Sequence, residues 1–297
     1  MKEMENQKQK TNGTTKPMDG KICLITGATA GIGKVTATAL AEMGANLVIT
    51  GRDHQKTVDT TQEIIKTTGN QSVDFLIADF SDLTQVRTLA SAFKDRYSHL
   101  DVLINNAGTY FNFRKDTPYE VEMTLLVNHL APFLLTNLLL DLLKASPSGR
   151  IINVSSESHR QDQMDFTDLG FKKGYFGFKA YARSKLANIL FTYELARRLE
   201  ISNVTVNALH PGHVATDIWK TNFPLIGPLL KWMMSQFALT PEEGADNSIY
   251  LATSPKVEGV TGKYFIKREP ETSSPISYDE EVTRKLWKIS EEITGMK

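Results

Sequence analysis

The sequence predicts an α/β protein in a single domain: one doubly wound parallel sheet of about seven strands, with helices on both faces. Three observations carry that prediction. Short apolar runs alternate with helix-length stretches along nearly the whole chain, which is the order a parallel sheet with crossover helices requires. The short runs are apolar throughout instead of alternating, as strands buried on both sides are. The 297 residues, 41% of them hydrophobic, are enough for one large core.

Taken in order, Lys21 to Thr26 is an apolar run that stops at Gly27, and Lys34 to Met43 reads as a helix closed by Gly44. Asn46 to Thr50 is a second strand, Gln55 to Thr67 a helix stopped by Gly69, and Ser72 to Ala78 a third strand before a helix from Leu83 to Tyr97. Asp101 to Asn105 is the fourth strand, Tyr119 to Lys144 one or two long helices, Arg150 to Val154 the fifth strand, and Tyr181 to Glu200 a helix. Asn203 to Ala208, Pro241 to Leu251 and Gly262 to Ile266 give a sixth strand, a helix and a seventh strand. Glu269 to Ser277, rich in Pro, Ser and Thr, reads as a loop before a last helix from Asp279 to Ile293. The organisation is thus a polar tail over 1–17, a main domain over 18–268 and a C-terminal loop and helix over 269–297.

Composition removes several function classes. Lys plus Arg and Asp plus Glu both total 34, so net charge offers no case for nucleic acid. The single cysteine, Cys23, cannot form an internal disulfide and fits a reducing compartment, so a cytoplasmic location is expected. The polar N-terminal stretch reads as a flexible tail, not as a secretory signal or anchor. The most apolar region, Leu125 to Leu143, is broken by Asn128, His129, Pro132, Asn137 and Asp141, too polar for a membrane span of about 20 residues. Histidines at 54, 99, 129, 159, 210 and 213 have no metal-site spacing, and no metal is expected.

Chemistry concentrates at Tyr181 and Lys185, four positions apart and therefore on one face of a helix. A free tyrosine titrates near pH 10, so work near pH 7 asks for about three units, or roughly 4 kcal/mol. A cation about 4 Å away, at an effective dielectric of 20, supplies roughly that much. The pattern recurs at Tyr175 and Lys179, where Gly177 weakens a helix. Tyr181 and Lys185 instead open a sustained apolar-periodic helix. At the first strand's end, Thr26-Gly27-Ala28-Thr29-Ala30-Gly31-Ile32-Gly33 places three glycines where strand becomes helix. Glycine there lets a pyrophosphate approach amide groups at the positive helix terminus. Thr50-Gly51-Arg52 ends the second strand with a cation where an acid would read a ribose hydroxyl. Arg52, with Lys34, therefore argues for NADP over NAD, a solubilising surface arginine being the plain alternative.

With Asn105-Asn106-Ala107-Gly108, Asn128, Ser155-Ser156 and Pro211-Gly212 in this order, the chain resembles the short-chain dehydrogenase/reductase family, in its retinol dehydrogenase-like branch, from roughly Gly20 to Ile266. The resemblance implies a Rossmann-type fold and hydride transfer between a nicotinamide and a carbonyl or alcohol carbon. It implies that Tyr181 is the general acid/base, that Lys185 lowers its pKa and bonds the nicotinamide ribose, and that Ser156 holds the substrate oxygen, Ser155 being the alternative. Asn128 would help hold a water that links Lys185 to solvent. The implied cofactor contacts are Gly27, Thr29, Ala30, Gly31, Ile32 and Gly33 at the first turn, Arg52, and Asp79 with Phe80 after the third strand. Asn105, Ala107 and Gly108 follow the fourth strand, and Pro211, Gly212, Val214 and Thr216 the sixth. Asp79 is otherwise an ordinary helix cap.

The apolar insert over 217–238, with Trp219, Phe223, Trp232 and Phe237, reads as a lid over a hydrophobic aldehyde, ketone or alcohol, or else as a docking surface. The long helices suggest a homodimer by the same resemblance. An NAD-dependent epimerase or dehydratase would share the fold with a different glycine spacing, and a nucleotide-sensing interaction protein would carry a broken catalytic set.

Overall fold

The computed structural model describes residues 16–212, 214 and 239–296. The expected tail up to residue 15, the insert over 217–238 and Thr216 lie outside the described residues. Strands β1 (Ile22–Ile25), β2 (Asn46–Gly51), β3 (Val73–Ile77), β4 (Val102–Asn105), β5 (Arg150–Val154), β6 (Thr205–His210), β7 (Lys263–Ile266) and β8 (Glu269–Glu271) form one sheet. Its order is β3-β2-β1-β4-β5-β6-β7-β8. β1 pairs on both sides, Ile25 opposite Ile49 of β2 and Ile104 of β4, and every pairing up to β7 is parallel. The chain therefore winds outward from β1 in one direction and from β4 in the other. In such sheets the crevice outside the strand carboxyl ends, between those two strands, is the place where a ligand sits.

The eighth strand corrects the expected loop: Glu269–Glu271 turns back antiparallel onto β7. Lys267 and Arg268 make the hairpin turn with φ of 49° and 68°, values that no glycine or asparagine in that stretch announces. Pro270 fits because an edge strand has a side with no ladder to supply.

Helices α1 (Gly31–Glu42), α2 (His54–Thr68) and α8 (Pro241–Thr253) cover one face. On the other lie α3 (Leu83–Lys94), α4 (Met123–Leu125), α5 (Ala131–Leu138), α6 (Leu140–Ala145) and α7 (Gly177–Arg198). A π-helical turn, Leu126–Leu130, joins α4 to α5. The final helix α9 (Glu280–Thr294) lies across the outer surface of the second layer. Its Trp287 ring meets Phe133 of α5 at 4.9 Å and Phe191 of α7 at 5.9 Å. α7 begins at Gly177, four residues before the expected start, and is buried along most of its length, including Arg183, Ser184, Lys185 and Asn188. Among the described residues no helix is long and apolar enough to cross a membrane, and no group of three His, Cys, Asp or Glu side chains is placed to hold a metal.

Candidate active site

The turn after β1 is built by close approach. Thr26 Oγ1 accepts from the backbone N–H groups of Asn106 and Ala107 at 3.0 Å each. Asn106 Nδ2 donates to Thr26 O at 2.8 Å and to Gly27 O at 3.1 Å. The loops after β1 and β4 are therefore one unit. A Cβ on Gly27, whose φ is +65°, would lie 2.8 Å from Ala107 Cα, and one on Gly33 would lie 2.4 Å from Asn106 Nδ2 and 2.6 Å from Gly27 O. Only glycine fits at both positions. Ala30 precedes α1 in extended conformation with no capping side chain, whereas Asp53 and Asp82 cap α2 and α3. The first amides of α1, Gly31 and Ile32 among them, thus lack the side-chain acceptor that neighbouring helices carry. That arrangement fits the pyrophosphate of a dinucleotide.

The remaining expected cofactor contacts ring this turn. Thr29 packs its methyl where a side chain on Gly51 would be, 2.5 Å from that position. Arg52, just after β2, is exposed and has no ion-pair partner among the described residues, while Lys34 is bound to Glu63 through both carboxylate oxygens at 2.7 Å. The structure thus separates two cations that the sequence grouped. Asp79 does not cap α3; its Oδ1 accepts from Ser81 N at 2.9 Å and Ser81 Oγ at 2.8 Å, while Phe80 is buried. Asn105 is turned inward, donating to Thr136 Oγ1 at 2.9 Å and Asn153 Oδ1 at 2.8 Å, so its side chain braces β4 against β5. Pro211 and Gly212 follow β6, Gly212 with φ of 88°, and Val214 packs against Ile32 and Ala245.

On the other side of the crevice, α7 presents Tyr181 and Lys185, 8% and 4% exposed. Lys185 Nζ donates to Val154 O at 2.9 Å and lies 5.5 Å from the Tyr181 ring centroid. Ser156, half-buried after β5, accepts from Ser158 N at 3.2 Å and caps the 3-10 turn Glu157–Gln161. Its neighbour Ser155 is buried and donates to Lys185 O at 2.8 Å, which turns that hydroxyl into a tie between β5 and α7. The pair at Tyr175 and Lys179 does not share a helical face, because Tyr175 precedes α7 and its hydroxyl donates to Phe111 O at 2.8 Å. Asn128 sits in the π turn, an irregularity often found at functional sites. Its Oδ1 accepts from Thr109 N at 2.7 Å, and its Nδ2 donates to Thr109 O at 3.0 Å and Ser184 Oγ at 2.9 Å. Both amide hydrogens are therefore used, and a water beside Asn128 would have to donate to one of its oxygens. Gly108 adjoins both groups: a Cβ there would lie 3.5 Å from Asn128 Oδ1 and 3.6 Å from Lys185 Nζ.

The electrostatics differ from the simple picture of a cation lowering a phenol. Burial pushes Tyr181 up to about 12, with the Ser156 hydroxyl pulling it the other way, and burial pushes Lys185 down to about 8. Desolvation is the leading cause of both shifts. At neutral pH Tyr181 holds its proton and Lys185 its charge, the state of a proton donor beside a cation.

The sequence pointed to Ser156 but not to what holds it. His159 Nδ1 lies 2.7 Å from Ser156 O, and Tyr264 of β7 donates to Glu157 Oε1 at 2.7 Å. Distances in sequence of about a hundred residues, as between Glu157 and Tyr264, leave no local pattern to read.

Comparison with known proteins gives a consistent result. The family model for short chain dehydrogenase matches residues 21–225. Retinol dehydrogenase 14 of Mus musculus is 44% identical over 303 aligned residues, covering 98% of this chain and 91% of that protein. Polyprenol dehydrogenase of Homo sapiens is 39% identical, with 94% and 87% covered. Among solved structures, a short chain dehydrogenase from Shigella flexneri complexed with NADP superposes with a TM-score of 0.68 at 27% identity, covering 85% of this chain and 98% of that one.

Proposed function

Since the chain belongs to the short-chain dehydrogenase/reductase family and is an oxidoreductase of alcohol and carbonyl groups, we propose that it reduces a hydrophobic, isoprenoid-like aldehyde or ketone with NADPH, Tyr181 giving the proton. The observation that carries this reading is the convergence of Ser156, Tyr181 and Lys185 at the strand carboxyl ends, across the crevice from an uncapped helix N-terminus. The bound nicotinamide supplies the hydride. The first amides of α1 would hold the pyrophosphate, and Arg52 the 2′-phosphate, since among the described residues its guanidinium has no ion pair to break. Ser156 donates a hydrogen bond to the carbonyl oxygen and stabilises the negative charge that grows there. Tyr181 then passes its phenolic proton to that oxygen, and the Lys185 ammonium beside the ring stabilises the tyrosinate left behind. Oxidation of an alcohol runs the same steps backward. The substrate class rests on the names of the relatives, a retinol and a polyprenol dehydrogenase. Those names also replace the epimerase and sensor alternatives with dehydrogenase chemistry.

The test is turnover of NADPH with all-trans-retinal and a long-chain isoprenoid aldehyde, followed by absorbance of the reduced cofactor. Tyr181→Phe should lower kcat about 10²–10⁴-fold while leaving NADPH affinity within a few-fold; unchanged turnover would remove Tyr181 from the chemistry. Arg52→Ala should weaken NADPH about 10–100-fold and NADH little, as loss of a charge-assisted bond predicts. Equal losses for both cofactors would show that Arg52 does not read the phosphate.

A further inference from the structure

Ser156 can meet a substrate oxygen reproducibly only if its backbone is held, and the 3-10 turn that follows it has poor hydrogen-bond geometry of its own. The group that holds it, His159, is three residues on, and what anchors that histidine comes from far along the chain. His159, with no exposed surface, has Nδ1 at 2.7 Å from Ser156 O and accepts at Nε2 from Ser274 N at 3.0 Å. A carbonyl oxygen only accepts and a peptide N–H only donates, so the imidazole must carry its proton on Nδ1 and be neutral. Burial favours the same neutral form. The ring stands edge-on to Tyr264 at 5.0 Å, and Arg160, paired with Glu157 at 3.0 Å, reaches Thr272 O.

The segment from Thr272 to Tyr278 is bonded on its other side to α7. Tyr193 and Ser273 share a hydroxyl hydrogen bond of 2.7 Å, Ser273 N donates to Tyr278 Oη at 3.0 Å, and the Tyr278 ring stacks on Tyr193 at 5.4 Å. Ser273, Ser274 and Ser277 are buried. Residues well beyond the stretch matched by the family model therefore connect the Ser156 turn to the helix that carries Tyr181.

We propose that His159 is a positioning residue: its Nδ1–H bond to the Ser156 carbonyl, anchored through Nε2 on Ser274, fixes the Ser156 hydroxyl relative to Tyr181. This rests on the reading of Ser156 as the group that holds the substrate oxygen. The two ring nitrogens allow the role to be separated from simple stability. Asparagine at 159 places an amide N–H near the Nδ1 position and keeps the donor to Ser156, whereas glutamine reaches the Nε2 position and keeps only the link to Ser274.

His159→Gln should lower kcat about tenfold with KM for NADPH within about twofold, and should raise the isotope effect with deuterated NADPH, because hydride transfer becomes slower. His159→Asn should stay within about threefold of the parent. In the cofactor-free protein, hydrogen exchange over 157–161 should accelerate in His159→Gln and much less in His159→Asn. Adding His159→Gln to Ser156→Ala should cost no further turnover. Equal losses in the two His159 variants, tracking their thermal midpoints, would overturn the proposal. If Ser156→Ala itself leaves turnover intact, the reading of Ser156 falls and takes this proposal with it. An inert His159→Gln beside an inactive Ser156→Ala sinks the positioning role alone.

Discussion

The two sides of the crevice hold their groups by opposite means. On the β1–β4 side the site is backbone: glycines 27 and 33 let two loops close to within 3 Å of where side chains would stand, and α1 is left without a cap. On the β5–α7 side it is side chain: Lys185, Asn128, Ser155 and His159 are buried and each is tied to a main-chain atom of another segment. A backbone site is rigid because nothing else fits, and its failure mode is collision. A side-chain site is rigid because each polar group has a partner, and its failure mode is an orphaned donor or acceptor.

The largest test of that contrast is Gly33→Ala. The added methyl would meet Gly27 O, a backbone atom that cannot rotate away, at 2.6 Å. Overpacking of this kind costs about 1–3 kcal/mol. We expect the NADPH dissociation constant, followed by cofactor fluorescence, to rise about 10–100-fold, with kcat at saturating cofactor within a few-fold of the parent. Collapse of kcat with unchanged affinity would break the division of labour between the two sides.

Acid should act on the other side. Burial pushes His129 down to about 3 and also lowers His159, and both lie in the side-chain half. Unfolded histidine titrates near 6.5, so the unfolded chain binds more protons below that pH. The stability these neutral histidines contribute is complete above about pH 6.5 and is lost as pH falls, at up to about 1.4 kcal/mol per unit for each. Glu122, raised by burial, works in the opposite sense. Between pH 6.5 and 5.0 His129 alone should remove about 2 kcal/mol, measured by urea unfolding. Hydrogen exchange should show α5, α7 and α9 opening before β1 and β2. Uniform opening, or a midpoint that does not move with pH, would contradict the assignment of the buried histidines to one half.

The same contrast explains what the sequence disclosed. The succession of strands and helices along the chain and the glycine turn were legible because they follow from local rules, apolar runs and residues that alone tolerate a positive φ. The pairing of Tyr181 with Lys185 was legible for the same reason, being a helical repeat of four. The hairpin at Lys267 and Arg268 was not, since both residues adopt a conformation usually reserved for glycine. Nor were the anchors of the Ser156 turn, because His159 to Ser274 and Glu157 to Tyr264 are tertiary bonds between segments more than a hundred residues apart. The burial that raises the Tyr181 pKa was not legible in the spacing of four, because desolvation depends on what packs around the two groups in the folded chain.

The smallest expected effect falls on Ser155, and it is the most selective. Ser155 and Ser156 are adjacent, chemically identical and on opposite sides of the strand end, one donating inward to Lys185 O at 2.8 Å and the other half-buried at the turn. Removing the Ser155 hydroxyl deletes one buried hydrogen bond, worth about 1 kcal/mol, and slackens the tie between β5 and α7 without touching the position where a substrate oxygen would lie. Ser155→Ala should therefore lower the thermal midpoint by a few degrees and leave kcat within about threefold, while Ser156→Ala should cost about 10²-fold or more in kcat, as loss of an oxyanion-type donor does, with little change in stability. The reverse pattern, turnover lost at 155 and kept at 156, would exchange the roles of the two hydroxyls. The catalytic donor would then belong to the buried tie, and the boundary drawn here between holding a site and acting in it would have to move one residue back along the strand.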